Sequence, residues 1–254
     1  MTVERLSRGL AAFAFLIHAA VAGRYDFFRD ELYFIVCGRH PAFGYADQPP
    51  LVPFLAAGSQ LFGESLVLLR LIPALGAAGL VLATCALARA AGAGLFGVAL
   101  AGTAAAVAPM YLGLMTLLNT SMFEPLAWTL VALLVARAVL EGEARAWILA
   151  GIVSGIAMET KYALPLYLGP LAAGLVLTGH ARALLRREVA IGIAIAAVLA
   201  APSAIWQAVH GLPFLDLMRA GAAGKNVVLP PAAFVANQVV VMNPLFIAAS
   251  SKCA

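Results

Sequence analysis

The chain has 254 residues, of which 63% are hydrophobic and only 11% are charged. A soluble domain carries roughly 25% charged residues, so this composition excludes an ordinary water-soluble domain and indicates a protein embedded in a bilayer. The net charge of +4 is small and scattered, and no basic run carries interleaved aromatics, which argues against nucleic acid as a partner. The apolar surplus is Ala, Leu, Val and Gly without strand-like alternation, so we expect an all-α, polytopic membrane protein.

Apolar runs predict about eight membrane-spanning segments. Their approximate bounds are 7–23, 66–88, 90–110, 124–138, 146–158, 162–178, 189–209 and 234 onward. The first could be a cleaved signal peptide, but the many spans that follow favour a retained first span. Because the polar residues 250–254 cut the last segment short, we expect one transmembrane domain, 1–254, that is incomplete at its C-terminus.

Residues 24–64, which we call the polar loop, separate the first two spans. The spacing of apolar side chains in Asp30–Arg39 predicts a helix at the membrane interface, and Pro53–Phe62 predicts a second one. Between them, Gln48-Pro49-Pro50 predicts an extended turn, because proline fixes φ and lacks a donor.

Alternation of the spans divides the charged groups between two faces. One face receives the N-terminus and the loop arginines Arg89, Arg137, Arg145, Arg182, Arg186 and Arg187. The other face receives the polar loop, Glu124, Lys161 and a second predicted loop at residues 210–231. The total counts of basic residues are nearly equal, but the compact 182–187 loop favours a cytoplasmic N-terminus. We therefore expect the polar loop to be periplasmic.

Four polar features share the polar-loop face: Asp30-Glu31, the segment Tyr45–Pro50, Glu124 and Lys161. Each has an ordinary structural explanation. Acids favour a helix start, Pro-Pro redirects a chain, Glu124 before a proline can cap a helix, and a lysine can extend to the interface or pair with the nearby Glu159. Their occurrence together, in a chain so poor in charge, favours a reactive surface.

The chemistry that needs such a set is transfer from a lipid-phosphate donor. An exposed carboxylate can take a proton from an acceptor hydroxyl, and a lysine near the lipid boundary can hold a phosphate. A second acid can orient the acceptor or a divalent metal ion. These residue types alone do not specify that the transferred group is a sugar.

Several motifs, in order, resemble bacterial membrane glycosyltransferases of the GT-C superfamily, the family of protein O-mannosyltransferases and the lipid A aminoarabinose transferase. The polar loop supplies Phe28-Arg29-Asp30-Glu31-Leu32-Tyr33 and Gly44-Tyr45-Ala46-Asp47-Gln48-Pro49-Pro50-Leu51. Later matches are Leu61–Ser65 leading into Leu69–Pro73, Glu124–Trp128, Gly151–Tyr162, Pro202–Gln207 and His210–Pro213.

This resemblance implies a GT-C helical bundle and a polyprenyl-phosphate-linked sugar as donor. It implies that Asp30 is the catalytic base, that Glu31 shapes its site, that Glu124 serves the acceptor or a metal, and that Lys161 contacts the donor phosphate. Because Leu32-Tyr33 stands where some relatives have an arginine, a further phosphate contact is expected from Arg29 or Arg70. The expected substrate loop contains Tyr33, Tyr45, Asp47, Gln48, Pro49 and Pro50.

The sequence therefore predicts an inverting glycosyltransferase of a bacterial inner membrane. Its expected partners are the bilayer, the polyprenyl-phosphate sugar and a lipid, glycan or protein acceptor. A divalent metal is possible, and no other cofactor is indicated. The alternatives are a non-catalytic carrier-lipid binder or flippase-like transporter, and an inactive truncated pseudoenzyme. A transporter would place functional charges near mid-membrane.

Overall fold

The computed structural model describes residues 2–224 and 229–241, which form helices, turns and loops and no β-strand. Twelve α-helices lie in these residues: α1 Val3–Val21, α2 Arg29–Arg39, α3 Leu51–Ser59, α4 Leu66–Ala90, α5 Leu95–Val107, α6 Pro109–Leu114, α7 Phe123–Ala136, α8 Ala144–Met158, α9 Leu164–Leu177, α10 Arg187–Val209, α11 Pro213–Gly224 and α12 Pro231–Val241. A π-helical turn, Arg137–Glu141, continues α7, and short 3₁₀ turns precede α7 and α10.

Three helical segments are long and apolar enough to cross a membrane: α4, α10 and the continuous stretch Thr120–Glu141 that contains α7. The shorter apolar helices α5, α8, α9 and α12 add further hydrophobic surface. These helices confirm the prediction of an all-helical membrane protein. The eighth predicted span begins at α12, and its continuation past Val241 lies outside the described residues.

The long helices pack through small side chains. Helix α4 packs against α1, α5 and α7, and α8 packs against α7 and α10. Between α8 and α10 the backbones approach so closely that a Cβ added to Gly151 would lie 2.1 Å from the carbonyl oxygen of Gly192. Membrane helices commonly pack in this way, because lipid removes the hydrophobic driving force and leaves close contact as the main attraction.

Two predicted regions differ from the structure. The third predicted span is broken at Ala108, whose extended backbone (ψ 127°) precedes Pro109, because proline disfavours the helical conformation of the residue before it. The region 210–231 was expected to be a loop, but it contains α11, which begins at Pro213, a position that suits proline since no intrahelical partner is lost there.

The two interfacial helices exist with shifted bounds. Helix α2 begins one residue before the predicted start, and α3 begins at Leu51 directly after the Pro49-Pro50 turn and ends at Ser59. On α2, Phe34 and Ile35 are buried whereas Leu32 and Val36 are exposed. This pattern suits a helix that lies on the bundle with one apolar edge turned outward.

The contact between Gly151 and Gly192 gives a stability prediction. Gly151→Ala should lower the free energy of unfolding by about 1–3 kcal/mol, because the new methyl group must push α10 away from α8. The matched control is Gly174→Ala on α9, where a Cβ meets no atom within 4 Å. That variant should be neutral or more stable by up to about 1 kcal/mol, since alanine favours a helix over glycine. Denaturant unfolding in mild detergent measures both, and equal effects would contradict the predicted contact.

Candidate active site

The adjacent acids Asp30 and Glu31 lie in the first turn of α2 but in opposite environments. The Glu31 side chain is completely buried, and its Oε2 accepts a hydrogen bond from the backbone N–H of Phe28 at 2.9 Å, which caps the helix. The Asp30 side chain remains 45% exposed, with Arg29 Nε 3.1 Å from its Oδ1. Of the two predicted carboxylates, Asp30 is therefore the one that an external hydroxyl can reach.

Arg70, near the start of α4, is buried against Glu31. Its Nε and Nη2 donate to the two Glu31 carboxylate oxygens at 3.0 and 2.9 Å. Its remaining hydrogen bonds go to the backbone carbonyls of Ala22, Tyr25 and Asp26 at 2.8–3.1 Å. All five N–H groups of the guanidinium are thus engaged. This saturation argues against the predicted contact of Arg70 with a donor phosphate and gives the residue a structural role.

Glu31 also links the polar loop to the start of α7. Its Oε1 accepts a hydrogen bond from the backbone N–H of Leu118 at 3.3 Å. The next residue, Asn119, caps the following turn through a 2.9 Å bond from Met122 N–H to its side-chain oxygen. The segment that begins at Leu118 then carries Ser121 and Glu124, the two hydrogen-bond partners of Lys161.

Lys161 pairs with Glu124. Its Nζ donates to Glu124 Oε2 at 2.7 Å and to Ser121 Oγ at 2.8 Å, and the Lys161 and Glu124 side chains are 37% and 17% exposed. The ammonium group has three N–H bonds, so one donor is left for a ligand. The structure thus brings together two residues that the sequence placed on one face, although they lie 37 positions apart.

Glu159, which the sequence offered as a possible partner of Lys161, has another role. It accepts a 2.8 Å hydrogen bond from Ser203 Oγ on α10, and burial raises the pKa of its carboxyl above the ordinary value. Its backbone carbonyl accepts a 3.0 Å bond from the N–H of Leu51. Glu159 therefore joins the end of α8 to both α10 and the Pro49-Pro50 turn.

The predicted substrate loop is held from both sides. Tyr45 donates its hydroxyl to the carbonyls of Cys37 and His40 at 2.8 and 3.1 Å, and its own carbonyl accepts from Gln207 Nε2 at 2.8 Å. Gln48, Pro49 and Pro50 are buried. These contacts fix the position of the segment Tyr45–Pro50 beside α2.

Tyr33 and Asp47 are the more accessible members of the predicted loop. The Tyr33 hydroxyl donates to Asp47 Oδ1 at 2.6 Å. Burial, reinforced by the hydrogen bond to Asp47, raises the pKa of Tyr33 well above its ordinary value, so its hydroxyl stays protonated at neutral pH. Tyr33 is therefore a hydrogen-bond donor and not a base.

The sequence interpretation missed the contribution of single polar residues on α10. Ser203 and Gln207 are both buried and are spaced i, i+4, so they share one face of the helix. Trp206 lies beside Gly44, where an added Cβ would come within 2.8 Å of the indole ring. Polar residues at helical spacing in an otherwise apolar span were the available signal.

Metal-ligating side chains are dispersed. Within 2–224 and 229–241, no three His, Cys, Asp or Glu side chains lie close enough together to hold a metal ion. Asp30 and Glu124, the two acids expected to face the substrate, are engaged with Arg29 and Lys161 respectively.

Comparison with known families identifies the chain. The model of the family described as dolichyl-phosphate-mannose-protein mannosyltransferase matches residues 47–206. The chain belongs to this family. No curated protein and no solved structure matches it significantly.

Family membership makes the protein a membrane glycosyltransferase of the GT-C type and indicates a polyprenyl-phosphate-linked sugar as donor. The matched range includes Asp47, Glu124 and Lys161, whereas Asp30 and Glu31 precede it. The roles of Asp30 and Glu31 therefore depend on geometry and on the residue-level resemblance.

The burial of Arg70 gives the second prediction. Arg70→Gln should lower the free energy of unfolding by about 3–5 kcal/mol, because it leaves the buried Glu31 carboxylate unpaired. The matched control is Arg39→Gln, which breaks the exposed pair with Glu64 and should cost no more than about 1 kcal/mol. Detergent unfolding followed by circular dichroism measures the difference. A cost for Arg70→Gln as small as that of the control would exclude the proposed structural role.

Proposed function

We propose that this protein transfers a sugar from a polyprenyl-phosphate donor to a hydroxyl group at the outer face of a bacterial inner membrane. The acceptor hydroxyl belongs to a lipid, a glycan or a protein. The polar loop, together with the start of α7 and the end of α8, forms the reacting surface, and the N-terminus lies in the cytoplasm. The basic 182–187 loop on the opposite face supports this orientation.

The observation that carries this proposal is the contrast between Asp30 and Glu31. Glu31 is buried by its bonds to Arg70, Phe28 and Leu118, and these bonds fix the first turn of α2. Asp30, which directly precedes Glu31 in that fixed turn, has an accessible carboxylate. A rigid turn with one exposed acid suits general-base catalysis, because the base must be positioned before the proton moves.

Lys161 is the proposed contact for the donor phosphate. Glu124 and Ser121 fix the ammonium group and leave one N–H available. We assign Glu124 mainly to the orientation of Lys161, with the predicted acceptor or metal contact as a secondary role through its other oxygen. Arg29, whose side chain is 88% exposed, is the second candidate phosphate contact.

An apolar cavity supports a lipid-linked donor. It has a volume of about 420 Å³, lies between α7, α8, α9 and α10, and is lined by Met158 and Leu164, which flank Lys161 in sequence. A polyprenyl chain in this cavity would bring its phosphate to the loop face, where Lys161 lies. Burial of its apolar surface would add to binding.

The proposed reaction is a single displacement. The acceptor oxygen forms a bond to the anomeric carbon while the bond from that carbon to the phosphate oxygen breaks. The hydroxyl proton passes to Asp30, the polyprenyl phosphate leaves with both electrons of the broken bond, and the configuration at the anomeric carbon inverts. Lys161 stabilises the negative charge that develops on the leaving phosphate.

The base role of Asp30 gives the third prediction. Asp30→Asn should reduce sugar transfer roughly 10²–10⁴-fold, because asparagine cannot accept the proton, while donor affinity stays unchanged. The matched control is Asp26→Asn, an exposed acid in the same loop, which should retain transfer. Proteoliposomes with radiolabelled polyprenyl-phosphate sugars and membrane extract as acceptor provide the assay.

Two outcomes would reject this assignment. Near-normal transfer by Asp30→Asn would remove Asp30 from the mechanism. Donor binding by the wild-type chain without transfer of any sugar in the panel would instead support a carrier-lipid binder.

The phosphate contact of Lys161 gives the fourth prediction. Lys161→Ala should weaken binding of polyprenyl phosphate roughly 10–100-fold and should leave binding of the uncharged polyprenol unchanged, because only the phosphate uses the ammonium donor. Arg39→Gln is the matched control, since it removes an exposed cation of the polar loop whose ionic partner is Glu64. Equal losses for the two lipids would show that Lys161 supports the fold alone.

A further inference from the structure

A second cavity lies at the opposite face of the bundle. It has a volume of about 510 Å³ and is formed by the start of α1, the end of α4 and the π-helical turn after α7. Its charged lining residues are Glu4, Arg8, Arg89, Arg137 and Glu141, and its apolar lining includes Val3, Leu82 and Ala86. None of these residues takes part in the proposed sugar transfer.

The charges in this cavity are only partly compensated. Arg8 pairs with Glu4 at 3.7 Å. Within the described residues, neither Arg89 nor Arg137 has a carboxylate within 4 Å, although Glu141 lines the same space. Arg137 is half-buried, and its charge has no ionic partner in the described part of the chain. An anion that enters the cavity would supply that partner.

The backbone at this point is unusual. Regular α-helix ends at Ala136, and Arg137–Glu141 forms a π-helical turn that Gly142 ends with a positive φ of 73°. π-Helical turns are rare and occur frequently at functional sites. Here the wider turn places both Arg137 and Glu141 in the lining of the cavity.

We propose that this cavity binds the headgroup of an anionic phospholipid. The site lies at the ends of membrane-spanning helices, where a headgroup phosphate is available at high local concentration. Its lining is partly charged and partly apolar, which matches the phosphate and the glycerol region of a phospholipid. Arg89 and Arg137 contact the phosphate, and Leu82 and Ala86 contact the start of the acyl chains.

The experiment measures lipid binding to the intact 254-residue protein in a neutral detergent by native mass spectrometry. The probes are phosphatidylglycerol and phosphatidylcholine with identical chains. We expect one tightly bound phosphatidylglycerol, and Arg137→Gln should weaken its binding about fivefold. The matched control, Arg182→Gln, removes an exposed arginine on the same face outside the cavity and should change binding less than about twofold.

A charge change of the opposite sign tests the same cavity. Glu141→Gln should tighten phosphatidylglycerol binding, because it removes a negative charge from the lining. Equal effects of Arg137→Gln and Arg182→Gln, or equal binding of the two lipids, would overturn the proposal. Displacement of phosphatidylglycerol by equimolar inorganic phosphate would show that the site takes a free anion and would overturn the lipid assignment. Because sugar transfer is not measured, these results are independent of the proposed catalytic function.

Discussion

The buried ion pair between Arg70 and Glu31 is the interaction on which the candidate site depends. One guanidinium binds a carboxylate and three backbone carbonyls, so α2, α4 and the end of α1 meet at a single point. Two charges out of water are costly unless every hydrogen-bonding group is satisfied, and here the arginine is saturated. A pair of this kind tolerates little movement, which gives the adjacent Asp30 a defined place without burying it.

The second contribution to the site is the attachment of the polar loop to helices that come later in the chain. Leu51 is bonded to Glu159, and Tyr45 is bonded to Gln207. Lys161 is in turn fixed by Glu124 and Ser121. The face proposed to react is therefore built from four separate parts of the sequence. No single motif contains it.

The sequence predicted the class of fold and placed Glu124 and Lys161 on one face, where they do pair, because charge is rare in this chain and alternation of apolar spans assigns each charge to a face. It could not distinguish the environments of Asp30 and Glu31, since adjacent residues in a helix turn differ only in what packs against them. For the same reason the sequence suggested a phosphate contact for Arg70 and could not show that this residue is buried against Glu31. Burial by a partner 39 positions away leaves no local pattern. Helix α11 was missed because its glycines and its proline resemble those of a loop.

The hydrogen bond from Gln207 to Tyr45 spans 162 positions of the chain. During synthesis at about 5–20 residues per second, the polar loop leaves the ribosome some 8–32 s before the helix that anchors it. In that interval the loop can bond only to partners made earlier, first Arg70 and then Leu118 and Glu159. The order of translation thus separates assembly into two stages. The early stage orients Asp30 and Glu31, and the late stage fixes the segment Tyr45–Pro50 beside them.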